Sequence, residues 1–298
     1  MQALWMLLGA AFFASMGVCV KFASAYFTSA ELVFYRGMVG IVFLGVIAKQ
    51  RGISLRTRYP GMHVWRSAVG VLSLGSWFYA IAHLPLATAM TLNYMSGVWV
   101  AAFLVGGNLL NWNPQEGESA WSQGPLALTV LSGFAGVVMM LRPTIEQNQI
   151  FAGLIGLMSG FVAAFAFMQV MALSRVGEPE TRTVFYFAIG TAVAGGGVML
   201  FEGTTAWDWH HAMWLLPVGV FASLGQLCLT RAYSQGATLV VANLQYSGIV
   251  FAALYSLLLF GDDIPLIGWA GMAVIVISGM AATLLRARAA PNAPAEEH

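Results

Sequence analysis

Charge is what this chain has least of. Only 8% of its 298 residues are Asp, Glu, Lys or Arg, where a soluble globular domain carries about 25%. That is too little to cover a water-facing surface, and a 59% hydrophobic content places the chain in a membrane. Acids are missing from the middle of every long apolar run. All twelve (Glu31, Glu116, Glu118, Glu146, Glu178, Glu180, Glu202, Asp208, Asp262, Asp263, Glu296 and Glu297) fall at run ends, in loops or in the C-terminal tail. Exchange of a fixed cation for a proton relies on a membrane-buried carboxylate, so that mechanism is disfavoured. Cysteine is nearly absent too. Cys19 and Cys228 sit inside apolar runs, without the number or spacing of a disulfide framework or zinc site, and read as packing residues. No basic block suggests nucleic acid. No metal or cofactor motif is visible: His210 and His211 are neighbours, which on a helix do not face one ligand, and no glycine cluster forms a phosphate loop.

What the chain does have is long apolar runs. Ten candidate spans are read at about 3–24, 31–48, 64–82, 86–109, 124–141, 150–173, 183–201, 212–231, 237–260 and 264–285. Their lengths suit tilted helices crossing about 30 Å of hydrocarbon, and they do not alternate as barrel strands would. The first run lacks a basic n-region and a clear cleavage site and is expected to be the first span. With ten spans, one side collects Lys49, Arg51, Arg56, Arg58, Arg66, Arg175, Arg182, Arg231, Arg286 and Arg288, and the other only Lys21, Arg36 and Arg142. The positive-inside rule then puts both termini in the cytoplasm. The loop at 108–123 is acidic on that reading, which the rule tolerates.

The chain also repeats itself. VFYRGMVG (33–40) echoes VFYFAIGT (184–191), Ser96-Gly97-Val98-Trp99 echoes Ser247-Gly248-Ile249-Val250, and LSGFAGVVMMLR, ending at Arg142, echoes ISGMAATLLR, ending at Arg286. Three echoes in one order divide the chain into repeats at 1–143 and 150–288, with a cytoplasmic tail at 289–298. Five spans per copy is odd, so the second copy enters the membrane from the opposite side. Inverted repeats of this kind mark alternating-access transporters with a site near the midplane. The expected fold is an all-α integral membrane protein of ten helices in two inverted five-helix repeats.

SAELVFYRGMVG (29–40), YAIAHLPLATAMTLNYMSGVWVAAFL (79–104), LTRAYSQGATLVVANLQYSGIVFAALYSLLLFGDD (229–263) and ISGMAATLLR (277–286) together resemble the drug/metabolite transporter superfamily, in its ten-helix EamA branch. The resemblance spans about 5–288. It implies the fold and a carrier function; similar members move amino acids, nucleotide-type metabolites, cationic drugs and other small solutes. The chain departs from the pattern at Ser96, where the family often has proline. It departs again at 108–111 and 261–263, where a glutamate is common.

Polar residues inside the spans are the candidate substrate site. Arg36 is read two ways: as a snorkelling side chain paired with Glu31, or as an anchor for a substrate carboxylate. Lys21 presents the same choice. Tyr79, Asn93, Tyr94, Ser96 and Trp99 in the first copy mirror Asn243, Gln245, Tyr246 and Ser247 in the second, and Gln169 and Gln226 are mid-span amides. Interhelical hydrogen bonding is one account of these residues, and a shared central cavity is the other. Trp77 and Trp99 suit packing, lipid or that cavity. Trp112, Trp121, Trp207, Trp209 and Trp214 suit the interfacial belt. Gly156 and Gly160 are read as a close helix-packing pair, and the turns at His83-Leu84-Pro85 and Ser234-Gln235-Gly236 as hinges.

The expected function is secondary active or facilitative transport, in the export direction, of a small polar metabolite (an amino acid or related zwitterion or anion). The alternative is a cationic-metabolite or multidrug exporter with an aromatic cage. A membrane enzyme or a channel fits less well, because no catalytic constellation or filter segment is visible. The expected partners are a small-molecule substrate and the lipid of a bacterial inner membrane, with the chain as monomer or homodimer.

Overall fold

The computed structural model describes residues 2–99, 103, 124–141, 147–235 and 244–289. Among these, every regular element is helical: α1 (Gln2–Ala23), α2 (Ser29–Gln50), α3 (Pro60–His83), α4 (Leu86–Tyr94), α5 (Gly124–Leu141), α6 (Gln147–Arg175), α7 (Glu180–Glu202), α8 (Trp209–Ala212), α9 (Leu215–Gln235), α10 (Ser247–Phe260) and α11 (Leu266–Ala289). Among the described residues, five stretches are long and apolar enough by length and composition to cross a membrane: Leu4–Ala23, Ser29–Gln50, Gln149–Arg175, Glu180–Glu202 and Trp209–Tyr233. Large apolar side chains point outward, Leu200 at 87% and Phe201 at 93% exposure. Lipid rather than water accommodates such a surface.

Local sequence sets the helix ends. Thr28 and Glu31 form a reciprocal capping box at the start of α2. Pro60 opens α3, where a missing N–H costs nothing. Gly261 closes α10 in the left-handed region at φ 62°, which a side chain resists.

Two of the expected spans are each interrupted by a one-residue turn whose backbone stays in the right-handed helical region. α4 stops at Tyr94, Met95 is a turn, and the chain is helical again at 96–99. In the second copy, residues 244–245 are helical, Tyr246 is a turn, and α10 begins at Ser247. Both turns directly precede the echoed Ser-Gly. The Met95 N–H reaches Leu92 O, three residues back, at 3.3 Å, tightening the end of α4. Gly160 on α6 seats this turn, since a Cβ there would stand 2.5 Å from Leu92 O, and Gly156 meets the Leu92 side chain.

Helix packing follows the echo. α2 lies against α7, α5 against α11 and α4 against α10, while α1 with α9 is matched by α6 with α3. Small residues let α2 and α7 approach: a Cβ on Gly37 would meet Ala192 N at 2.5 Å, and one on Gly195 would meet Phe34 N at 2.6 Å.

Polar contacts tie the loops at each end of the bundle. At one end the Glu178 carboxylate accepts from Thr57 Oγ1 at 2.8 Å and Arg182 Nη1 at 3.1 Å, with His63 Nε2 at 3.2 Å. Arg182 Nε also donates to Ser54 O, and Tyr186 OH to Leu55 O. Burial pushes the Glu178 carboxyl up, but the hydrogen bonds from Thr57, Arg182 and His63, helped by the Arg182 charge, outweigh it and hold the group below its ordinary value. At the other end Glu31 accepts from the backbone and hydroxyl of Thr205, at 2.8 and 3.0 Å. There Lys21 donates to Leu84 O, and Phe22 lies 4.9 Å from Trp214 and 5.0 Å from Phe260.

Candidate functional site: a polar cavity and two buried arginines

Where α1, α3, α4, α6, α7 and α9 meet, they leave a cavity of about 60 Å³, room for a few waters. α4 contributes its last two residues, Asn93 and Tyr94, and Gln245 comes from beside the matching turn before α10. Gln226 enters from α9, and α3 adds Arg66, Gly70, Ser73 and Trp77. Phe13, Phe167 and Phe187 close the apolar walls. The amides are held in place. Asn93 Nδ2 donates to Ser159 Oγ at 3.0 Å, and Tyr233 OH donates to Gln245 Oε1 at 2.9 Å. Ser73 Oγ donates to Ser159 O at 2.9 Å, binding α3 to α6 beside the cavity.

The arginines carry the charge. Arg36 and Arg66 are each 4% exposed, and both guanidinium groups lie against one ring, that of Phe187, at 5.0 Å and 4.1 Å from its centre. Nε of Arg36, and Nε and Nη1 of Arg66, are buried without a hydrogen-bond partner. Among the described residues, no carboxylate lies within ion-pair reach of either arginine. Gly70, one turn after Arg66, makes the space its guanidinium occupies, because a Cβ there would overlap Nη1.

One reading of Arg36 is corrected by this geometry. Arg36 neither snorkels nor pairs with Glu31, whose carboxylate serves Thr28 and Thr205. Arg66 lies inside α3, as the span at 64–82 has it, and its guanidinium is buried against the π face of Phe187. Nothing about Arg66 alone signals this, although the echo aligns Phe187 with Arg36.

The other candidates are distributed. Asn93, Tyr94, Gln226 and Gln245 line the cavity; Arg36 stands behind Phe187, outside the lining. Tyr246 is buried with its hydroxyl over Gly97 and Gly279. Ser96 is buried, and Ser247 donates to Leu244 O at 2.7 Å. Tyr79 stacks on His83 at 4.2 Å, Trp99 packs edge-on to Phe134 and Phe161, and Gln169 lies half-buried outside the cavity lining. Asn243, with Trp112, Trp121 and Gly236, lies outside the described residues. Trp77 is buried with Nε1 unpartnered. Phe13, 6.3 Å from its ring, is a lining residue that sequence pattern alone does not distinguish from core. His211 pairs with Asp208, which also caps α8; that bond, then the one from the His210 backbone, holds the Asp208 carboxyl below its ordinary value. Among the described residues no cluster of His, Cys, Asp or Glu could hold a metal.

Comparison with known proteins agrees with this architecture. Residues 1–107 match the EamA-like transporter family. The pseudopaline exporter CntI of Pseudomonas aeruginosa is 31% identical over 274 residues, covering 90% of this chain and 91% of the exporter. A riboflavin transporter of Vibrio cholerae is 27% identical over 287 residues, 93% of this chain and 90% of its own. A solved crystal structure superimposes with a TM-score of 0.63 over 96% of this chain and 98% of its own, at 17% identity, which speaks to the fold alone. The relatives are transporters, not enzymes, and the chain belongs to the EamA-like transporter family, as a multi-pass inner-membrane protein of the drug/metabolite transporter type.

Proposed function

We propose that the chain is an alternating-access carrier, secondary active or facilitative, that exports a small polar metabolite: an amino acid or a related zwitterion or anion. The observation that carries this reading is the composition and position of the cavity. Its polar lining includes Asn93 and Tyr94 beside one one-residue turn and Gln245 beside the other, with Arg66, Ser73 and Gln226 from α3 and α9. Residues 1–143 and 150–288 act as the two inverted repeats that rock about it, with both termini in the cytoplasm. One-residue turns at matching positions of the two echoed segments favour this, because carriers built from repeats place their site where the repeats meet. Polar junctions at both ends, through Glu178 and through Glu31, suit a state closed on both sides. The buried arginines weigh against the cationic alternative.

The test is counterflow in proteoliposomes with labelled neutral and aromatic amino acids, comparing the wild type with Asn93→Ala and Gln226→Ala. Saturable, trans-stimulated exchange that falls at least tenfold in both variants is expected. Flux that stays linear with concentration and insensitive to trans solute would mark a channel instead.

A further inference from the structure

We propose that Arg66 is a docking point for an organic carboxylate, so that the carried solute is a net anion with a flat apolar body, and net cations are refused. The inference rests on the carrier reading above and narrows its substrate class. Arg66 lines the cavity with two of its three guanidinium nitrogens buried and unpartnered. An ionised group without a counter-charge or hydrogen bonds is unfavourable in a low-dielectric interior. The described residues supply neither, and a carboxylate does, through paired N–H···O bonds to the guanidinium fork. The pocket is built for the charge rather than merely tolerant of it: Gly70 leaves the space for Nη1, and the Phe187 ring lies 4.1 Å from the guanidinium carbon. Arg36, on the same ring, adds a second positive charge just outside the lining and strengthens the preference for an anion. None of the described lining residues would neutralise an ammonium group, since the polar members other than Arg66 are neutral. Trp77 and Phe13 supply the apolar wall, and Trp77 Nε1 is a spare donor beside it.

Three probes share a benzene ring and differ in charge: hippurate is an anion, phenylalanine a zwitterion and phenethylamine a cation. Thermal unfolding of the purified full chain is measured with each at matched ionic strength, for the wild type, Arg66→Met and Arg66→Lys. Hippurate is expected to raise the wild-type Tm by several degrees, phenylalanine less, and phenethylamine not at all. Arg66→Met is expected to melt above the empty wild type, because an unpaired buried charge is gone, and to ignore hippurate. Arg66→Lys keeps the charge without the fork and is expected to bind hippurate at least tenfold more weakly. The proposal is overturned if phenethylamine protects as well as hippurate or if no probe protects. It is also overturned if hippurate protects Arg66→Met undiminished. Counterflow with the same preparations separates the two readings. Hippurate that protects but is not exchanged removes the carrier reading and leaves the anchor, whereas exchange of phenethylamine alone keeps the carrier and removes the anchor.

Discussion

Arg36 and Phe187 occupy the same position in the two copies of the echoed motif, and in the folded protein they touch, with the guanidinium carbon 5.0 Å from the ring centre. The helices that carry the echoed motif, α2 and α7, pack on each other, so equivalent residues meet there. Two arginines facing each other would repel. One copy supplies the charge and the other the π face, and that asymmetry opens the face to Arg66 as well.

Replacing Phe187 by Leu therefore removes a shared partner from two buried cations. Each desolvated cation–π contact is worth about 2 kcal/mol, and some packing is lost too. A loss of roughly 2–4 kcal/mol is expected in chemical or thermal unfolding. A double-mutant cycle of Phe187→Leu with Arg66→Met should be clearly non-additive. Additivity would mean that the ring serves only as packing.

The two interrupted helices interlock through a second reciprocal contact. The Tyr94 hydroxyl lies against Gly248 and the Tyr246 hydroxyl against Gly97, each glycine lacking the Cβ that would collide. Gly97→Ala is expected to cost about 1–3 kcal/mol by overpacking. Tyr246→Phe in the same chain should recover much of that, since the next ring atom stands at an ordinary 3.4 Å from the position of the new Cβ. Unfolding midpoints of the two single variants and the pair decide it.

The Glu178 junction gives a pH dependence whose sign is set. Its carboxyl lies below its ordinary value of 4.5, so it holds a proton less readily folded than unfolded. Its stabilisation is present in full above the unfolded value and fades as pH falls through the folded one. Backbone hydrogen exchange at residues 54–58 and 176–182, corrected for intrinsic rates, should speed up below about pH 4.5 in the wild type. Glu178→Gln should exchange fast at every pH from 7 downward. A wild type flat from pH 7 to 3 would show that the junction does not hold these loops.

Much of the fold was legible in the chain because lipid imposes a simple rule: a spanning helix satisfies its own backbone and turns apolar side chains outward. Ten apolar runs, three echoes in register and the polar residues beside Ser96 and Ser247 follow from that rule and need no tertiary information. Asn93, Tyr94, Gln226 and Gln245 were marked for the same reason, as polar groups at depth. The turns at Met95 and Tyr246 were not, since neither residue is a proline and hydropathy is blind to a single turn.

The sequence by itself determined the solvent, the all-helical class and the family, all of which are written in composition and period. Only the tertiary structure decided which charges are buried. Arg66 stands six residues into its helix, after a loop that already holds Arg51, Arg56 and Arg58, and reads along the chain as one more basic residue at that boundary. Its burial depends on a ring 121 positions away and a gap one turn on, at Gly70. Contacts of that kind exist only once α3 and α7 have packed.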